Sequence, residues 1–76
     1  MRNEMGYIDW DRTEAYARSL DREGLQHAIN DAVKTLPMAD AMDREVMERT
    51  GREPFHSKGG YYRDCISVYR KVQRGL

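Results

Sequence analysis

Glu23, His27 and Asp31 stand four residues apart, so a helix would place them on one face, where they could offer a metal three ligands. All three belong to one element, whereas structural metal sites draw ligands from several, so a paired and exposed polar edge is the simpler reading. Ser57-Lys58-Gly59-Gly60 ahead of a helix has the make-up of a phosphate-binding turn, in which backbone N–H groups face an anion. It lacks the preceding strand and the spacing of a P-loop, which favours a flexible helix start that lets two helices approach closely. Cys65 falls among apolar neighbours and reads as a small buried hydrophobe, while His56 has no partner at fixed spacing. No nucleophile with its base, no carboxylate pair and no metal set emerges. The chain therefore reads as a non-enzyme with neither cofactor nor metal.

Two surfaces remain. Arg63, Ser67, Arg70 and Arg74 follow one another at i, +4, +7 and +11, with Lys71 adjacent and Lys58 upstream. Such a stripe can track a phosphate backbone or dock on acidic protein. Near the other end, Tyr7 and Trp10 are interleaved with Asp9, Asp11 and Glu14, an aromatic and acidic cluster suited to a basic partner. The formal charge is zero, but residues 1–48 hold eleven acids against six bases, while residues 49–76 hold seven bases against two acids. That asymmetry fits either a basic binding end or two halves that neutralise each other when folded together.

The elements that must position these groups are helical. Leu25, Ala28, Ile29, Ala32, Val33 and Leu36 form one apolar stripe at helical period, predicting a helix from about Asp21 to Leu36 capped by Ser19 or Asp21. Pro37 stops it or restarts the chain as a new helix. The next runs from Met38 or Ala41 to Thr50, with Asp40–Arg44, Glu45–Arg49 and Glu48–Arg52 as i,i+4 pairs and Gly51 as a left-handed terminator. Residues 51–57 form the linker, in which Pro54 forbids helix continuity. A last helix runs from Lys58–Tyr61 to Arg74, possessing Ser57 as a cap and a stripe of Tyr62, Cys65, Ile66, Tyr69 and Val72, flanked by Tyr61 and Val68. Asp11 with Glu14 resembles a capping box for a short helix from Arg12 to Leu20. No segment alternates as a strand would.

Seventy-six residues make one domain (1–76) that buries only about 60–65% of its unfolded surface, a small core for its length. A single cysteine permits no internal disulfide and fits a reducing compartment, so a homodimer or a partner protein is the remaining support. No long apolar run or signal-peptide core occurs, which points to a cytoplasmic protein without a membrane.

The run His56-Ser57-Lys58-Gly59-Gly60-Tyr61-Tyr62-Arg63-Asp64-Cys65-Ile66-Ser67-Val68-Tyr69 resembles the closing segment of short helical proteins from temperate phages, where a Lys–small–Gly–Tyr–Tyr–x–Asp turn opens a final helix. It covers about a quarter of the chain. The resemblance implies a phage accessory protein, a class rich in inhibitors of host proteins that includes anti-CRISPR proteins, and it assigns no site. The expected fold is an all-α irregular bundle of three to four short helices. The expected function is a protein-interaction module acting on a host protein complex, through Tyr7, Trp10, Asp9, Asp11 and Glu14. The alternative is a DNA- or RNA-binding regulator working through Lys58, Arg63, Arg70, Lys71 and Arg74.

Overall fold

The computed structural model describes residues 1–2 and 7–76, and their regular structure is three helices: α1 (Trp10–Arg18), α2 (Arg22–Thr50) and α3 (Lys58–Arg74). Among the described residues there is no strand, only an isolated antiparallel bridge between Arg2 and Ile8. Each helix opens on a side-chain cap. Asp21 accepts the Gly24 N–H at 2.7 Å and Ser57 accepts the Gly60 N–H at 2.9 Å. For α1 the cap is Asp9, which takes the Arg12 N–H at 3.0 Å, two residues ahead of the expected Asp11. Asp11 instead sits in the first turn, where its charge complements the helix dipole. Gly51 ends α2 at φ 71°, the left-handed conformation that glycine adopts without a Cβ penalty.

Pro37 does not divide the chain. It lies inside the continuous 29-residue α2, so the two helices expected around it are one, and the described residues form three helices, within the three to four expected. A proline there forfeits the hydrogen bond to the Val33 carbonyl and strains the preceding turn, at a cost of about 3 kcal/mol. Packing outweighs that loss. Leu25, Ile29, Ala32 and Ala39 are buried, Leu36 and Asp43 half-buried, and their alternating steps of four and three hold one face against α3 across the proline, whose own ring is exposed.

α2 and α3 run antiparallel in a register set by polar contacts. Arg22 donates to the Leu76 carbonyl (2.8 Å), Gln73 to Gln26 (3.0 Å) and Arg63 to Asp40 (2.6 Å). Asp40 therefore pairs across the interface and not with Arg44, and neither Glu45–Arg49 nor Glu48–Arg52 closes to an ion pair. α1 packs on α3 and barely touches α2. Ala17, Leu25, Val68 and Val72 form the core where the three meet, with Leu20 and Tyr69 against it. Val68, expected on the flank, is thus central. Tyr61, Tyr62 and Tyr69 are only half-buried, because they face the gap between α1 and α2. Thr13 is buried and polar, and its hydroxyl accepts a hydrogen bond from the Met1 ammonium at 2.9 Å. Among the described residues no helix is long and apolar enough to cross a membrane.

Candidate interaction surfaces

The linker between α2 and α3 folds back on the segment before α1. The His56 ring stands edge-on to Tyr7 and to Phe55, with ring centroids 4.7 Å apart in each case, and Tyr7 lies 6.2 Å from Phe55. Phe55 keeps 76% of its surface exposed, Trp10 52% and Tyr7 46%. Of the acids expected beside them, Asp9 is occupied as the α1 cap. Glu14 accepts from Arg18 at 2.8 Å and lies 3.9 Å from Lys71. The Arg18 hydrogen bond first, then the Lys71 charge, hold its carboxyl below the usual value. Asp11 faces solvent. Tyr7, Trp10 and Asp11 are therefore the exposed members of the expected cluster, and Phe55 joins Tyr7. Sequence reasoning passed over Phe55, although a lone ring between Pro54 and His56 in a polar linker was the available signal.

The start of α3 has the geometry of an anion site, and the chain supplies its own anion. The Asp43 carboxylate receives the Lys58 N–H and the Gly59 N–H, both at 2.9 Å, and the Ser57 hydroxyl at 2.8 Å. Burial alone would raise its pKa; the Gly59 and Lys58 N–H groups and the Ser57 hydroxyl outweigh this, and the net shift is downward. The N–H groups that could have faced a phosphate are given to Asp43, and the turn serves as the helix start that its sequence favoured.

The five basic residues of α3 do not share one surface. Arg63, Arg70 and Arg74, with Ser67, rim a groove of about 440 Å³ floored by Val33, Leu36 and Ile66. Arg63 is drawn towards α2 by Asp40 while its side chain stays exposed. Lys71 lies on the α1 side, near Glu14, and Lys58 borders a separate hollow with Met42 and His56.

A second groove, of about 310 Å³, opens between α1 and α2 with α3 as its floor. Tyr16 comes from α1, Tyr61, Tyr62 and Tyr69 from α3, and Ala28, Asp31 and Thr35 from α2. The Tyr16 and Tyr69 rings meet edge-on at 6.3 Å, Tyr61 and Tyr62 at 5.3 Å, and the Arg2 guanidinium lies 4.1 Å above the Tyr61 ring. Burial, followed by the neighbouring Cys65, pushes the phenols of Tyr61 and Tyr69 up to about 12. Among the described residues that line it, Asp31 is the charged one. The Glu23–His27–Asp31 spacing does not converge on a metal. His27 lies 3.9 Å from Glu23 on the exposed side, and among the described residues no group of three His, Cys, Asp or Glu side chains could hold an ion. No protein-family model, no curated protein and no solved structure matches the chain.

Proposed function

We propose that the chain is a small non-enzymatic protein-interaction module, a phage-type inhibitor that occupies a protein complex of its bacterial host in the cytoplasm. One observation carries this reading: three large aromatic side chains, Tyr7, Trp10 and Phe55, remain about half or more exposed, and Tyr7 and Phe55 are braced by edge-on contacts with the His56 ring. Rigid aromatic side chains of this kind dominate binding energy at protein interfaces, because they bury much surface and lose little conformational freedom. Asp11 beside them favours a partner with a basic docking face. The nucleic-acid alternative draws less support, since its five basic residues are divided among three places and two of them face carboxylates.

Capture of partners from a bacterial lysate by the tagged protein, with and without nuclease, tests the reading. A nuclease-resistant partner that is lost with Trp10→Ala and Phe55→Ala, and kept with Arg70→Ala and Arg74→Ala, is the expected result. Each aromatic truncation should weaken binding by about 2 kcal/mol, roughly thirtyfold. A partner that disappears with nuclease, or with the arginine substitutions alone, would put the nucleic-acid reading in its place.

A further inference from the structure

The accessible surface of the chain is 5588 Å². A compact monomer of 8.9 kDa exposes about 4,800 Å², so this fold carries an excess of roughly 800 Å². The radius of gyration points the same way, at 13.5 Å against about 11.4 Å for a compact domain of this length. An excess of roughly 800 Å² is what one partner contributes to a standard protein interface.

The tyrosine groove is where that area lies to hand. Ala28, Asp31, Thr35, Met38 and Met42 follow one another along α2 in steps of three and four, the spacing of a helix-packing seam. At 100° per residue they share the flank of α2 that borders the groove, and Ala28, Asp31 and Thr35 line it directly. Met38 and Met42 extend the flank beyond it, 66% and 44% exposed. Alanine and threonine leave room for another backbone, and the methionines are adaptable apolar contacts. Among the described residues the groove carries Asp31 in its lining and the Arg2 guanidinium over Tyr61, so the patch holds both signs and apposing it to itself does not set one sign against itself alone. The groove on the other flank of α2 is rimmed by Arg63, Arg70 and Arg74, and self-apposition there would crowd like charges.

We propose that the tyrosine groove and the Ala28–Met42 flank of α2 are covered by a second copy of this chain, the two α2 helices lying antiparallel about a two-fold axis. A symmetric pair uses the same patch twice and closes on itself, which leaves Trp10 and Phe55 free for another partner.

Sedimentation tests this with Met38→Glu/Met42→Glu on the proposed interface and Val33→Glu on the opposite flank, all at exposed positions. The parent protein should run at twice 8.9 kDa at high micromolar concentration. The double methionine variant should run at 8.9 kDa with its helical circular dichroism intact, and Val33→Glu should stay paired. A parent that remains at 8.9 kDa overturns the proposal, as does a methionine variant that still pairs or a Val33→Glu that dissociates to the same degree. The unaltered protein supplies a second reading should the double variant misfold. Peroxide oxidation of Met38 and Met42 should slow several-fold as concentration rises while that of Met47 does not, and equal rates at all three positions would count against the interface.

Discussion

The Asp43 carboxylate of α2 accepts the Gly59 N–H of α3 at 2.9 Å, joining the two longest helices at the point where α3 begins. Two orphan N–H groups of a helix start, and the hydroxyl of its cap, are thereby satisfied from another element, and the contact fixes the register of the pair. Asp43→Ala should cost about 2–3 kcal/mol in urea denaturation, more than Ser57→Ala at about 1 kcal/mol, because it strips several charge-assisted bonds at once.

The same carboxylate gives stability an acid limb. Its folded pKa lies below the ordinary value of 3.8, so its contribution is fully present above that value and is lost as pH falls through the lower, folded one. Asp43→Asn should flatten this part of the stability profile, as measured by thermal melts across acidic pH. An unchanged acid slope would mean that Asp43 is not the group being titrated.

Gly59 should show a reversal of sign. A Cβ built there collides with Asp40 Oδ1, which Arg63 holds in place at 2.6 Å through the other oxygen. Gly59→Ala alone should destabilise by about 1 kcal/mol, since Asp40 must swing away and release Arg63. In an Asp40→Ala background the same substitution should stabilise by roughly 0.5–1 kcal/mol, the ordinary gain of alanine over glycine in a helix.

Pro37→Ala should raise stability by about 1–3 kcal/mol, because the ring is exposed and contributes no core contact while its missing N–H leaves the α2 ladder interrupted. A loss of stability on this substitution would mean that the proline shapes the curve of α2 around α3.

Two tyrosines should ionise late. With Tyr61 and Tyr69 raised to about 12, the folded chain holds protons that an unfolded chain gives up near pH 10, so stability should fall as pH rises between those values. Tyrosinate absorbance followed alongside circular dichroism reads both events. Full ionisation near pH 10 with the helices intact would contradict the burial of these phenols.

The helical pattern was legible because it rests on periodicity: Leu25, Ile29 and Ala32 announce their face by spacing alone, and Ser57, Asp21 and Gly51 mark ends by local chemistry. What stayed hidden depends on distant partners. Pro37 is a helix breaker by every local rule, and only the continuous face pressed on α3 overrides it. Asp40 offered a plausible local pairing with Arg44 and Asp43 offered none, yet Arg63 and the α3 start, 23 and 15 residues away, are what they meet. Val68, read on the flank, is buried in the core where α1 meets α3, while Tyr62 and Tyr69, read in the stripe, stay half-buried beside the gap between α1 and α2. The aromatic cluster was half legible: Tyr7 and Trp10 stand three residues apart in sequence, and Phe55 joins Tyr7 only through the fold.

Because α1 is seated on α3 and scarcely meets α2, the three helices are connected in series, with α3 as the middle link. A nine-residue helix cannot persist by itself in water, so α1 exists only while that one seat is occupied. Subglobal opening should therefore begin there: its amides should exchange with solvent ahead of those between Leu25 and Asp43, while the α2–α3 hairpin remains closed. Trp10 and Asp11 ride on the element that lets go first, and a ligand gripping them would slow exchange throughout α1 without touching the hairpin.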